Sequence, residues 1–303
     1  MTHPRGRPWE IHLALAAAQT GFALFPIFGK LALGSIPPLV FATFRAVCAA
    51  ILLEVVHSVN GREPIRKGDR RKLLLYALLG VSINQILFIL GLSLTTAINT
   101  TILTTTIPVF TLAAAAVLGR ERLTVRSGAG IVLAGAGALA LLDAQRFDWS
   151  SATFRGDVLL LSNCLSYSLY LVLSRPILAH YRPATFTATV FRYGALPIVL
   201  VATPELLRFE PARVPPLAWA SMAAVILLCT VIPYFLNSWA LASTHASHVA
   251  FYVFIQPLIA SALAMAILGE TLTWKTVVSG SLIFAGLAVG LFRERRLPAR
   301  AIP

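Results

Sequence analysis

Long runs of apolar residues, separated by short polar segments, follow one another along the whole chain. Many of these runs have about the 20 residues that an α-helix needs to cross a bilayer. In lipid they must be helical, because an open strand edge would leave backbone polar groups unpaired. The pattern therefore predicts an all-α membrane protein with ten transmembrane helices. The predicted spans are 11–33, 38–58, 73–93, 97–118, 125–143, 156–178, 184–203, 216–240, 246–268 and 274–292.

Composition agrees with this interpretation. The 303 residues are 57% hydrophobic and only 12% charged, with a mean hydropathy of +0.79. A soluble domain carries about 25% charged residues, so this chain has too few polar residues to cover a soluble fold. The net charge of +13 does not point to nucleic acid, because the basic residues lie in short clusters between apolar runs.

The distribution of lysine and arginine predicts the orientation in the membrane. With the N-terminus inside, seventeen of these residues fall in predicted cytoplasmic segments and five in outside loops. Cytoplasmic loops carry the excess of positive charge. We therefore expect a multi-pass protein of the cell (inner) membrane with both termini in the cytoplasm. Its expected partners are the lipid bilayer and a small-molecule substrate, without nucleic acid, and its expected state is a monomer or a weak homodimer.

The second half of the chain repeats features of the first half. Segment 91–124 aligns without gaps on 240–273 at a constant offset of 149. We predict two repeats of five helices each, covering 1–150 and 151–303. An odd number of helices makes the second repeat enter the membrane from the opposite side, which is the inverted architecture of alternating-access transporters. The identities at this offset include Leu92/Leu241, Thr95/Thr244, Ala97/Ala246, Pro108/Pro257, Glu121/Glu270, Leu123/Leu272 and Thr124/Thr273.

The segment TTAINTTILTTTIPVF, 95–110, is unusually rich in hydroxyls for a membrane span. Two interpretations are open. The threonines can line a transport pathway, or each can bond back to its own helix. Back-bonding is favoured for any single threonine, and cavity lining for the segment as a whole. Pro108 removes a backbone donor, so a local break in the helix is expected near it.

Several motifs resemble the drug/metabolite transporter superfamily, specifically its EamA-type proteins. They are an aromatic followed by lysine in the first span (Phe22, Lys30), proline then arginine in the second (Pro38, Arg45), QILFILGLSLTTA, TTTIPVF with LGRERLT, and IQPLIASALAMAILGETLT. Phe22 stands where the family usually has tryptophan. The resemblance implies a carrier of amino acids, drugs, sugars, nucleotide sugars or other small metabolites, commonly by export. We expect an exporter of amino acids or related compounds; a receptor or scaffold without flux is the alternative from another class.

Polar and aromatic residues in matched positions of the two halves predict the substrate site. The pairs are Asn99 with His248, Gln85 with Tyr234, and, at an offset of 145, Phe22 with Tyr167. Inverted symmetry places such pairs around one central axis. The candidate substrate-binding residues are Gln19, Phe22, Gln85, Asn99, Thr104, Asn163, Tyr167, Tyr234, Asn237, His248 and Tyr252.

Catalytic and metal-binding signatures are missing from the sequence. It contains no G-x-S-x-G, H-E-x-x-H or Walker loop, so neither an enzyme nor a cofactor is expected. His245 and His248 lie about one helical turn apart, but no carboxylate or cysteine in that segment completes a metal site. Glu121 and Glu270 are expected to order loops. Lys30, Arg45 and Arg192 can hold fixed charge, or their side chains can extend to the membrane interface. Facilitated diffusion or exchange fits the sequence at least as well as proton antiport.

Overall fold

The computed structural model describes residues 8–59, 61, 63–120, 124–141, 151–244 and 246–291. All regular secondary structure in this part of the chain is helical. The α-helices are α1 (Pro8–Leu33), α2 (Pro38–Val59), α3 (Arg70–Ala77), α4 (Ile83–Leu94), α5 (Ala97–Thr104), α6 (Ile107–Val117), α7 (Val125–Leu141), α8 (Ala152–Ser174), α9 (Pro183–Leu206), α10 (Pro216–Ile226), α11 (Ile232–Ser243), α12 (Ala246–Phe251), α13 (Ile255–Leu268) and α14 (Trp274–Leu291).

Short 3₁₀ and π turns connect some of these helices into longer stretches. Two π turns, Leu78–Ser82 and Leu227–Val231, join α3 to α4 and α10 to α11. The two turns are 149 residues apart, which is the offset of the internal repeat. The 3₁₀ turns are Lys67–Asp69, Ile177–Ala179, Pro211–Arg213 and Tyr252–Phe254.

Seven helical stretches are long and apolar enough to cross a membrane. They are Trp9–Leu33, Pro38–Val59, Lys67–Leu94, Ala97–Val117, Ala152–Ser174, Pro183–Leu206 and Pro216–Ser243. The other three predicted spans correspond to α7, to α12 with α13, and to α14, which are shorter or more interrupted in the described residues. The chain is thus an all-helical, multi-pass membrane protein with seven membrane-capable stretches in its described part.

The helices pack mainly between the two halves of the chain. The largest contacts join α7 to α14, α2 to α9, and α4 to α8. Helix α1 is the first helix of the first half. It packs against α10 and α11, which together form the third membrane-capable stretch of the second half. Helix α8, the first of the second half, packs in the same way against α4. The centre of the molecule therefore lies between the halves rather than within one of them.

Glycines allow the closest of these contacts. A Cβ atom at Gly286 on α14 would lie 2.5 Å from the Ala134 backbone nitrogen, and one at Gly137 on α7 would lie 2.8 Å from the Ser279 carbonyl oxygen. Gly137 and Gly286 are equivalent positions of the repeat. Helices approach this closely only where small residues face each other, so this glycine pattern serves intramolecular packing.

Candidate functional site

A central cavity of about 60 Å³ lies between the two halves. Ligand sites of small molecules commonly have between about 300 and 1,000 Å³, so a metabolite needs more space than this conformation provides. Both halves contribute polar and aromatic side chains to its wall. The lining residues are Gln19, Phe22, Phe25, Pro26, Arg45, Asn84, Phe88, Thr104, Ile107, Asn163, Tyr167, Tyr234, Val253 and Gln256.

Tyr234, on α11, lies at the aromatic side of the cavity. Its hydroxyl is within donating distance of the Gly80 carbonyl oxygen at 3.2 Å and of Asn84 Oδ1 at 3.1 Å. Its ring makes edge contacts with the rings of Phe22 and Phe191, with centroids 5.6 and 4.9 Å apart. The π turn before α4 exposes the Gly80 carbonyl to this hydroxyl, so a backbone irregularity of one half binds a side chain of the other.

Two asparagines hold other parts of the wall. Asn237 Nδ2 donates a 2.8 Å hydrogen bond to the Tyr167 hydroxyl. Asn163 Nδ2 donates a 2.7 Å bond to the backbone carbonyl of Asn84. Both donors are buried, where an unmade hydrogen bond costs more than in water. These bonds therefore set the positions of Tyr167 and of the first turn of α4.

A polar contact also crosses the cavity between α1 and α13. Gln256 Nε2 donates to Gln19 Oε1 at 2.5 Å. The Thr104 hydroxyl lies 3.5 Å from Gln256 Oε1 and 2.7 Å from the Thr101 carbonyl oxygen. All three side chains are buried, and together they form an uncharged, hydrogen-bonding side of the cavity.

Arg45, on α2, is the charged residue among those that line the cavity. Its side chain is almost completely buried, with the residue 2% exposed. Nε donates a 2.8 Å hydrogen bond to the Thr230 hydroxyl, and the guanidinium carbon lies 4.1 Å from the centre of the Phe25 ring. The cavity thus combines neutral amides, hydroxyls and aromatic rings with one cation.

The structure brings six of the eleven predicted residues to this cavity. The other five are placed differently or not described. Asn237 lies behind Tyr167, and Gln85 is buried without contributing to the wall. Tyr252 bonds to His12 near the start of α1. The six lining residues are Gln19, Phe22, Thr104, Asn163, Tyr167 and Tyr234.

Asn99 and His248 were expected to line one central cavity near mid-membrane, and Asn99 is not among the described residues that line the cavity. Asn99 lies in the first turn of α5, where its backbone N–H donates to the Thr96 hydroxyl at 3.0 Å. Its amide nitrogen lies 3.4 Å from the Thr95 hydroxyl. Asn99 therefore belongs to the capped end of a helix. The side chain of His248, and all of His245 and Glu121, lie outside the described residues.

The threonines of 95–110 mostly satisfy their own helix rather than the cavity. Among the described residues that line the cavity, the segment contributes Thr104 and Ile107. A buried hydroxyl needs an acceptor, and the nearest is the carbonyl three or four residues earlier. Thr100, Thr101, Thr105 and Thr106 all donate to such carbonyls, as the back-bonding interpretation expects, and Thr111, just beyond the segment, does the same. The expected break occurs at 105–106, between α5 and α6, just before Pro108.

Several residues of functional interest were not predicted from sequence. Asn84 and Gln256 line the cavity. Neither was among the residues predicted to bind the substrate, although both lie in or beside the family motifs. Asp157, on α8, is 1% exposed and its Oδ1 has no hydrogen-bond partner. A carboxylate inside an apolar stretch is itself a signal for a functional position, and this signal in 156–178 was overlooked.

Glu270 orders one end of the bundle, as expected for a loop-ordering charge. Its two carboxylate oxygens accept the backbone N–H groups of Ala97 at 2.8 Å and Ile98 at 2.9 Å. These N–H groups at the start of α5 have no partner within the helix, and the helix dipole favours a negative charge there. The loop before α14 is thereby tied to the start of α5.

The fold and site together define a multi-pass helical membrane protein with a central polar cavity between its two halves. The chain belongs to the EamA-like transporter family, whose model matches residues 9–142 and 154–292. The predicted family resemblance is therefore confirmed, and the protein is a membrane transporter.

Individual relatives agree with this assignment. The chain is 29% identical over 280 residues to an uncharacterized transporter of Archaeoglobus fulgidus, covering 92% of this chain and 96% of that protein. It is 25% identical over 333 residues to the protein WALLS ARE THIN 1 of Arabidopsis thaliana, covering 96% and 85%. A solved crystal structure covers 96% of this chain and 100% of its own, with a TM-score of 0.70 at 16% identity; this likeness concerns the fold alone.

Proposed function

We propose that the central cavity is the substrate site of an alternating-access transporter for small organic metabolites. The observation that carries this proposal is that both halves of the chain line one cavity. Gln19 and Asn84 come from the first half, and Asn163 and Tyr234 from the second. A site between two halves can be opened to either side of the membrane when the halves rock against each other.

We further propose ten spans arranged as two inverted repeats of five helices. The exchanged packing of α1 with α10 and α11, and of α8 with α4, is what a twofold relation between the halves requires. The π turns at matched positions support the same relation. The excess of lysine and arginine in the predicted inside segments favours cytoplasmic termini in the cell (inner) membrane.

The expected substrates are amino acids or related compounds, and the expected direction is export. Amide and hydroxyl groups at the cavity wall can replace the water that a polar metabolite gives up on entering. The rings of Phe22, Tyr167 and Tyr234 offer apolar surface with few rotamers to freeze. A mixed wall of this kind suits a medium-sized organic molecule with both polar and apolar parts.

Counterflow in proteoliposomes tests this proposal. Vesicles that contain the protein are loaded with one unlabelled amino acid at a time from a panel. They should take up the same amino acid in labelled form faster than protein-free vesicles do. Gln19→Leu removes the acceptor of Gln256 from the cavity wall and should reduce counterflow about ten-fold. Thr20→Val is the matched control, because Thr20 is exposed on the same helix and bonds to the Ala16 carbonyl; it should transport normally.

Two results would contradict the proposal. Equal counterflow in Gln19→Leu and wild type would mean that the cavity is not the substrate site. Absence of counterflow for every loaded compound would favour a receptor or scaffold, provided that a thermal unfolding transition shows the protein to be folded. Direction is tested separately, by comparing uptake into everted and right-side-out membrane vesicles.

A further inference from the structure

The cation in the cavity wall lies deep in the membrane-spanning part of the protein. Arg45 is seven residues into α2, which is about 10 Å from the start of the helix at 1.5 Å per residue. It is 2% exposed, so it cannot reach the bilayer surface by extending its side chain. A charge buried at this depth is costly and usually serves a function.

Among the described residues no carboxylate pairs with Arg45, and none of those that line the cavity is acidic. Its hydrogen-bond partners are the neutral hydroxyls of Thr230 and Tyr234, and the Phe25 ring offers only the negative face of its π system. In the described part of the chain, the guanidinium thus has no anionic partner.

Arg192, in α9, shows the contrast within the same molecule. Its Nη1 lies 3.7 Å from Glu54 Oε2, and its side chain is 51% exposed. Arg192 thus is exposed and has an anion nearby, while Arg45 is buried and has no anion beside it among the described residues. A buried charge is normally paired, and the missing partner of Arg45 is best supplied by what enters the cavity.

We infer that Arg45 binds the anionic group of the substrate and that the transporter selects organic anions, namely carboxylates with an apolar or aromatic body. This inference rests on the proposed function and, among its small organic metabolites, favours organic anions over zwitterionic amino acids. A guanidinium presents parallel N–H donors that match a carboxylate, and the aromatic residues Phe22, Phe25 and Phe88 provide the apolar surface for the rest of the molecule. Because none of the lining residues that the structure describes offers an acidic side chain to an ammonium group, an anion is preferred over a zwitterion, and a zwitterion over a cation.

The inference is tested with four probes that share a phenyl ring and a short chain. They are 3-phenylpropionate, its neutral amide 3-phenylpropanamide, L-phenylalanine and 2-phenylethylamine. Binding to the purified full-length protein is measured at pH 7 by ligand-dependent thermal stabilisation and calorimetry. We expect 3-phenylpropionate to bind about ten-fold or more tightly than its amide, with phenylalanine weaker than the propionate and phenylethylamine weakest.

Variants then assign the preference to one residue. Arg45→Gln should reduce the ratio of propionate to amide affinity to about one, while Arg45→Lys, which keeps the charge but not the paired donors, should keep part of it. Arg192→Gln is the control for removing a cation elsewhere in the helical bundle, and it should keep the full ratio. If Arg45→Gln does not fold, the affinity ratios of the wild type and of Arg45→Lys still test the inference.

Equal affinity for propionate and amide in the wild type, or binding of none of the four probes, would overturn the inference. So would an unchanged ratio in folded Arg45→Gln. These results are distinguishable from failure of the proposed function, because binding is measured without flux. Counterflow of amino acids without any preference for the anion would leave the transporter proposal standing and reject the role of Arg45.

Discussion

Asn237 donates a 2.8 Å hydrogen bond to the hydroxyl of Tyr167, although the two residues are 70 positions apart. Asn237 Oδ1 has no partner in the described part of the chain, so this bond holds the amide in place. Tyr167 lines the cavity and Asn237 lies behind it. The pair links α8 to α11 and sets the position of one aromatic wall.

Tyr167→Phe should therefore lower stability. The change leaves the Asn237 amide buried without an acceptor, which costs about 1–3 kcal/mol. Thermal unfolding in detergent should show a lower midpoint than for wild type. Tyr193→Phe is the control, because Tyr193 lies on α9 outside the cavity lining. Equal midpoints for Tyr167→Phe and wild type would mean that the bond does not contribute.

Asn99 and Asn163 should respond differently to replacement by leucine. Asn163 lines the cavity and holds the Asn84 carbonyl at 2.7 Å, so Asn163→Leu should reduce counterflow about ten-fold or more. Asn99 lies at the capped end of α5, and Asn99→Leu should transport at nearly the wild-type rate. Strong loss in Asn99→Leu with normal transport in Asn163→Leu would move the site to the Asn99 end of α5.

Gly286→Ala should destabilise the α7–α14 contact. The added Cβ would lie 2.5 Å from the Ala134 nitrogen and 2.6 Å from the Gly130 oxygen, both of them backbone atoms. Overpacking of this kind costs about 1–3 kcal/mol, which should lower the unfolding midpoint. Gly128→Ala, with nothing within 4 Å of its Cβ, should instead raise stability slightly, since alanine is the better helix former. The same sign for both changes would contradict the packing argument.

Topology is tested by labelling single cysteines from each side of the membrane. Gly68→Cys, in the 59–72 loop, should react with an impermeant reagent only from the cytoplasmic side. Glu210→Cys, between α9 and α10, should react only from the outside. Both are made in a Cys48→Ala background, because Cys48 is partly exposed while Cys164 and Cys229 are buried. Reversed reactivity at either position would rule out cytoplasmic termini in a ten-span protein.

The sequence by itself determined the class of protein and most helix positions. A bilayer of fixed thickness and no internal water requires long apolar helices, and this requirement is visible in run lengths alone. Predicted spans such as 38–58 and 97–118 therefore lie close to Pro38–Val59 and Ala97–Val117. The π turns at 78–82 and 227–231 also lie at the repeat offset of 149.

Only the tertiary structure decided which polar side chains meet. Gln85 and Tyr234 occupy matched positions and both are buried, yet Tyr234 lines the cavity and Gln85 does not. The threonine hydroxyls of α5 and α6 find acceptors in their own helices, which a stripe of residues on a helix face cannot reveal. The exposure of Arg45 to the cavity depends on contacts between α1, α2 and the turn at 227–231. Such long-range packing determines which face of a helix meets the cavity, and it is not encoded in the local pattern of any single span.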